Sequence, residues 1–136
     1  MAKRRLVLFL SAIFFAGGVH NYCLAAADAS YYKNPPIKVS AVAGRSIVLK
    51  LESNKTAGYE WQLAEPVDET MLHLEKTEYL PHETRLIGAG GIEKWTFTAL
   101  KEGKTVIFLK YVRPWESNVP PAQIRTFLIT IEKEPR

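Results

Sequence analysis

The sequence predicts an all-β protein in which about seven short strands form two packed sheets. Apolar residues alternate with polar residues in one run after another, which is the pattern of strands that bury one face. No window of about 11 residues carries an apolar stripe with the 3.6-residue period of an amphipathic helix. Several short strands at regular spacing favour a β-sandwich over a helical or βαβ architecture.

The first four predicted strands cover residues 37–43, 46–52, 59–63 and 72–80. In the second strand, Ile47, Leu49 and Leu51 share one face. In the third strand, Trp61 is in phase with Leu63, so we assign this tryptophan to the core. The fourth strand alternates less regularly.

The last three predicted strands cover residues 93–101, 104–112 and 125–132. Trp95 and Phe97 share a face of the fifth strand opposite polar residues, so Trp95 is also assigned to the core. The sixth strand is apolar on both faces, which favours an interior position in its sheet. In the seventh strand, Phe127, Ile129 and Ile131 point to one side.

The N-terminus is predicted to be a signal peptide, residues 1–27. Lys3, Arg4 and Arg5 precede the apolar run 6–16, and small alanines at 25–27 suit a cleavage site. Export to the periplasm or secretion is therefore expected, with no membrane segment after cleavage. Residues 28–36 are predicted to be a flexible segment, and residues 37–136 a single domain.

Charge and cysteine content exclude several classes of function. Three of the 18 basic residues and none of the 14 acidic residues lie in the predicted leader, which leaves a mature net charge of +1. A nearly neutral chain gives no electrostatic basis for nucleic-acid binding. Cys23 also lies in the leader, so the mature chain is expected to have no disulfide and no thiol chemistry.

Three segments interrupt the strand pattern at predicted strand ends. Loops at one end of a sandwich can form a common surface, so these three are candidates for a binding site. They are Asn54-Lys55-Thr56-Ala57-Gly58-Tyr59, Gly88-Ala89-Gly90-Gly91 and Arg113-Pro114-Trp115-Glu116.

In this order, the three segments resemble the chagasin family, the inhibitors of papain-like cysteine peptidases. The family pattern is Asn-Pro-Thr-Thr-Gly-Tyr, then Gly-x-Gly-Gly, then Arg-Pro-Trp, and the similarity spans residues 37–132. The resemblance implies an immunoglobulin-like β-sandwich that inhibits a papain-like cysteine peptidase reversibly. The three loops would enter its active-site cleft, with all 14 residues of the segments as candidate contacts. A monomer without a metal or cofactor is expected.

The first segment departs from the family pattern at two positions. Lys55 stands in place of the proline and Ala57 in place of the second threonine. We therefore expect a less rigid first loop that lacks one hydroxyl near the catalytic cysteine of the peptidase. The sequence identifies neither the target peptidase nor its origin.

Each segment also has a simpler interpretation. Asn and Gly are common turn formers, and Gly88–Gly91 fits an ordinary hairpin connection. Trp115 can fold back on the sandwich instead of facing a partner. The occurrence of all three segments in the order of the family pattern favours the functional interpretation.

Two other functions remain as alternatives. An enzyme is disfavoured because no Gly-x-Ser-x-Gly elbow and no His-Glu-x-x-His pattern frames Ser117, His73 or His82. The second alternative is an exported immunoglobulin-like module that binds a carbohydrate or an envelope protein. In that case Trp115 with Tyr111 would form a sugar-stacking platform.

Overall fold

The computed structural model describes residues 34–136, and seven strands account for most of them. The predicted signal peptide and most of the predicted flexible segment lie outside these residues. The strands are β1 (Ile37–Val42), β2 (Ser46–Ser53), β3 (Glu60–Leu63), β4 (Leu72–Pro81), β5 (Gly91–Ala99), β6 (Gly103–Val112) and β7 (Gln123–Glu132). The prediction of an all-β protein with about seven strands is confirmed.

The strands form two sheets of the predicted sandwich. One sheet has the order β1-β7-β6-β3 and the other the order β2-β5-β4. β6 lies between β7 and β3, in agreement with the interior position predicted from its apolar faces. All neighbouring strands are antiparallel except β1 and β7, which pair in parallel with Ile37 opposite Phe127.

The core lies between the inward faces of the two sheets. Trp61 and Trp95 are both buried, as predicted. The inward residues of β5 alternate with half-buried ones along the whole strand. The fully buried side chains of greatest volume are Phe97, Leu72, Ile107, Leu109 and Ile129. Burial of apolar area on this scale is the main stabilising term for a domain of about 100 residues.

Three connections meet at one end of the sandwich: 54–59 between β2 and β3, 82–90 between β4 and β5, and 113–122 between β6 and β7. Antiparallel pairing of β2 with β5 places Ser53 opposite Gly91, so the first two connections start from adjacent positions. Pairing of β3 with β6 places Glu60 opposite Val112, which brings the third connection beside the first.

Among residues 34–136, the structure contains no helix with the length and apolar character of a membrane span.

Candidate functional site

The first loop is a short 3₁₀ turn, Lys55–Ala57, that Asn54 caps. The side-chain Oδ1 of Asn54 accepts hydrogen bonds from the Ala57 N–H at 3.2 Å and from the Thr56 hydroxyl at 2.5 Å. Asparagine is a favoured N-cap residue because its side chain satisfies such an unpaired N–H group. No residue of the turn is buried, so polar contacts define its shape.

Gly58 ends the turn in the left-handed conformation, with φ of 84°. This conformation is unfavourable for residues with a Cβ. The position also has no space for one, because a Cβ built on Gly58 would overlap the indole of Trp115 and lie 2.8 Å from its Cζ2. Glycine therefore serves two purposes here: it reverses the chain and lets Trp115 lie against the backbone of the first loop.

The second loop is closed by a hydrogen bond from the His82 N–H to the Gly90 carbonyl at 3.0 Å. Gly90 has φ of 73°, and a Cβ there would lie 2.8 Å from the carbonyl oxygen of Ser53. The second loop can therefore approach the end of β2 only with glycine at this position. Gly88 and Ala89 are exposed at the tip of the loop.

Gly91 differs from the other residues of its segment. It is the first residue of β5 and is buried, and a Cβ there would lie 2.8 Å from both Pro81 Cα and the Tyr79 ring. The structure places Gly91 below the tip of the second loop, because backbone and ring atoms cover it. Gly91 supports the loop from beneath.

The third loop begins with a tight turn in which the Glu116 N–H donates to the Arg113 carbonyl at 3.0 Å. Pro114 occupies the second position of this turn, where its fixed φ is favoured. The Arg113 guanidinium donates to the Glu116 carboxylate at 3.1 Å and closes the turn a second time. Trp115 projects from it with 67% of its surface exposed.

Direct hydrogen bonds connect the three loops. The Asn54 Nδ2 donates to the Gly88 carbonyl at 3.3 Å, which joins the first loop to the second. The Arg113 Nε donates to the Ala57 carbonyl at 3.1 Å, which joins the third loop to the first. Residues 54–59, 88–90 and 113–116 thus form one continuous surface, here called the three-loop surface.

A stack of side chains supports this surface from below. The Arg113 guanidinium lies 4.4 Å from the centroid of the Tyr59 ring. Tyr59 stacks on Tyr111 with ring centroids 4.9 Å apart, and Tyr111 in turn contacts Trp61 at 4.8 Å. The Tyr111 hydroxyl also accepts a hydrogen bond from the Asn54 N–H at 2.6 Å. The stack connects the first and third loops to the core.

Lys55 makes a tertiary contact that the sequence did not indicate. Its ammonium group lies 5.1 Å from the centroid of the Tyr79 ring on β4, within the range of a cation–π interaction. The same ring covers Gly91, so Tyr79 lies next to both the first loop, at Lys55, and the residue that follows the second loop. This contact restrains the position where the family pattern has proline.

Two apolar residues beside the surface were missed by the sequence reasoning. Leu86 is 76% exposed and Ile87 is fully exposed, and both directly precede Gly88. The sequence did contain a signal for them, because two adjacent large apolar residues are unusual in a predicted loop. Exposed apolar groups of this kind mark interaction surfaces more often than isolated ones do.

Neither the His73 side chain nor the His82 side chain takes part in the three-loop surface. His82 lies 3.0 Å from the Glu52 carboxylate, and His73 is exposed on β4. Within residues 34–136, no group of three His, Cys, Asp or Glu residues is arranged to hold a metal ion.

The fold and the three-loop surface define a class of protein: an immunoglobulin-like sandwich that presents loops from one end. The sequence model of a protein family, the chagasin family peptidase inhibitors (I42), matches residues 40–131. The chain belongs to this family, whose members are inhibitors and not enzymes.

Two relatives of known name are similar over most of their own length. Amoebiasin-2 of Entamoeba histolytica is 32% identical over 85 residues, 62% of this chain and 69% of that protein. Chagasin of Trypanosoma cruzi is 32% identical over 81 residues, 57% of this chain and 73% of that protein.

Solved structures share the fold. The cysteine protease inhibitor EhICP2 from Entamoeba histolytica aligns with a TM-score of 0.61 and 23% identity, over 71% of this chain and 86% of that one. PbICP-C, solved in complex with falcipain-2, aligns with a TM-score of 0.51 and 18% identity, over 73% of this chain and 88% of that one.

Replacement of Gly58 by alanine is expected to displace Trp115. Gly44 provides a matched control, because it has a similar φ of 82° but no atom within 4 Å of a built Cβ. Gly44→Ala should cost about 1 to 2 kcal/mol of stability through backbone strain alone. Gly58→Ala should add a shift of the Trp115 indole N–H resonance in a ¹H–¹⁵N spectrum. An unchanged Trp115 resonance would contradict the packing of Trp115 on Gly58.

Proposed function

We propose that the mature protein is a reversible inhibitor of papain-like cysteine peptidases and that the three-loop surface blocks the active-site cleft. The observation that carries the proposal is the pair of hydrogen bonds from Asn54 to Gly88 and from Arg113 to Ala57. They hold three loops, distant in sequence, in one arrangement before any partner binds. A surface ordered in advance loses little conformational entropy on binding.

The shape of the first loop supports inhibition without cleavage. A peptidase cleft binds its substrate as an extended strand, but residues 55–57 form a 3₁₀ turn that ends at a left-handed Gly58. Asn54 donates hydrogen bonds to the Gly88 carbonyl and the Tyr111 hydroxyl, and Ala57 accepts one from Arg113, so the turn is held in place. The turn can therefore fill the cleft without placing a peptide bond in the geometry of a substrate.

The remaining two loops supply the apolar contacts. Trp115 offers a large, exposed aromatic surface on a turn that two hydrogen bonds between Arg113 and Glu116 close. Tryptophan presented in this way is typical of a binding hot spot. Leu86 and Ile87 extend the apolar area on the side of the second loop. An interface of about 800 Å² per partner, the standard size for protease inhibitors, fits such an arrangement.

Export and a monomeric state belong to the same proposal. The basic residues, apolar run and alanines of residues 1–27 support removal of a leader and residence in the periplasm or outside the cell. A peptidase in either location would be accessible to the inhibitor. The hydrogen bonds that join the three loops lie within one chain, which supports inhibition by a monomer.

The carbohydrate-binding alternative loses its main support in the structure. Tyr111 is only 8% exposed and packs between Tyr59 and Trp61. It cannot form a stacking platform with Trp115 at the surface. An aromatic platform would also have no use for the backbone contacts that the glycines of the second loop permit.

The experiment that tests the proposal is titration of papain and a cathepsin L-like peptidase with the purified mature protein. Residual activity is followed with a fluorogenic peptide. Stoichiometric inhibition that reverses on dilution, with the inhibitor recovered intact, is the expected result. Absence of inhibition of either enzyme by a folded protein would leave the general binding module as the better explanation.

Trp115→Ala should weaken inhibition by about thirtyfold or more, since loss of a hot-spot residue costs on the order of 2 kcal/mol. Leu100→Ala is the matched control, because Leu100 is 48% exposed and follows β5 at the opposite end of the sandwich. Its inhibition constant should remain that of the wild type. Equal constants for Trp115→Ala and the wild type would remove Trp115 from the interface.

Ala57→Thr should tighten inhibition by about two- to tenfold, the equivalent of one hydrogen bond of about 0.5 to 1.5 kcal/mol. Ala57 is exposed, and its N–H and carbonyl already have partners in Asn54 and Arg113, so the turn accommodates the new side chain. The measurement is the inhibition constant against both peptidases, with thermal unfolding to confirm an intact fold. Weaker inhibition by a folded variant would show that the hydroxyl has no partner in the cleft.

A further inference from the structure

Two polar residues of the described chain, 34–136, are buried: Ser53 at 4% exposure and Glu93 at 5%. Glu93 is in phase with Trp95 and Phe97 on β5, so its side chain points between the two sheets. A buried carboxylate is unfavourable unless hydrogen bonds compensate for the lost water. Hydrogen bonds from neighbouring groups must therefore compensate for the burial of Glu93.

Glu93 accepts hydrogen bonds from both flanks of the first loop. Its Oε1 accepts from the Ser53 hydroxyl at 2.6 Å, directly before Asn54. The N–H of Trp61, two residues after the loop ends, donates to the same carboxylate at 3.3 Å from Oε1 and 3.4 Å from Oε2. The Tyr59 carbonyl lies 3.5 Å from the Ser53 hydroxyl oxygen. One side chain thus fixes the distance between the two ends of the loop.

The same residue is linked to the other two loops. Glu93 follows Gly91, the first residue after the second loop, by only two positions. The ring of Trp61 contacts Tyr111, which stacks under Tyr59 and lies two residues before Arg113. Glu93 therefore lies directly under the three-loop surface, next to the residues that support the loops.

We propose that Glu93 is a positioning residue for inhibition: through Ser53 and Trp61 it sets the geometry of residues 54–59 for entry into a peptidase cleft. The proposal rests on the proposed function for its link to inhibition. It makes a separate statement about the free protein, in which the first loop is ordered by Glu93.

The test compares Glu93→Leu with Glu93→Gln. Leucine removes both carboxylate acceptors, so the Trp61 N–H loses its bond to Glu93 and the Ser53 hydroxyl keeps only the Tyr59 carbonyl, 3.5 Å away. Glutamine keeps one carbonyl oxygen for the Trp61 N–H, while its amide group can donate to the Ser53 hydroxyl oxygen. Glu93→Leu is expected to weaken inhibition at least tenfold, and Glu93→Gln is expected to restore most of the loss.

Amide hydrogen exchange of the free protein supplies the second readout. The N–H groups of Ala57, Gly58 and Tyr59 bond within the first loop. They should exchange at least tenfold faster in Glu93→Leu than in the wild type, with an intermediate rate in Glu93→Gln. Ser53→Ala, which removes one of the two links, should accelerate the same amides and remains informative if Glu93→Leu does not fold.

Ile129→Ala separates positioning from general destabilisation. Ile129 is 1% exposed on β7, pairs with Val39 and Thr105, and lies towards the end of the strand that is away from the three-loop surface. Measured where all variants are folded, Ile129→Ala should lower the melting temperature but leave the inhibition constant and the three loop amides unchanged.

Unchanged loop exchange in both Glu93→Leu and Ser53→Ala would overturn the proposal, whatever happens to inhibition. Faster exchange with wild-type inhibition would also overturn it. If the wild type inhibits no peptidase, the proposed function fails, but the exchange rates still decide whether Glu93 orders the loop.

Discussion

Asn54 is the residue on which the arrangement of the loops depends. Its side chain caps the 3₁₀ turn and donates to the Gly88 carbonyl, while its backbone N–H donates to the Tyr111 hydroxyl. Asn54 therefore stabilises the turn of the first loop, joins this loop to the second loop, and connects it to the aromatic stack below. Aspartate has no N–H to donate to Gly88, and serine or alanine does not reach it. The amide side chain satisfies all of these partners together.

The sandwich and the three-loop surface are stabilised by different interactions. The sandwich depends on apolar burial between the sheets, which is large and non-directional. The first loop has no buried residue in its turn and depends on hydrogen bonds, each worth about 0.5 to 1.5 kcal/mol net. Such directional contacts define one geometry. A binding surface can thus be precise without adding much to the stability of the whole domain.

The sequence predicted the sheets better than the details of the site. Period-2 alternation located the strands and placed Trp61 and Trp95 in the core, because that pattern is local. The parallel pairing of β1 with β7 was not predicted, since pairing partners are set by tertiary packing. The phase of β5 places Glu93 on the inward face, but a charged residue at a strand end is usually exposed. Its partners, 32 and 40 residues away in sequence, become evident only in the folded chain.

The central claim is that all three loops bind one peptidase together. The most direct measurement is a ¹H–¹⁵N titration of the mature protein with a papain-like peptidase whose catalytic cysteine is replaced by alanine. We expect the amides of residues 54–59, 88–90, 113 and 115–116 to shift at one common stoichiometry, while the turns at 43–45 and 100–102 remain unchanged. Shifts confined to the residues around Trp115, or no shifts at all, would contradict the account.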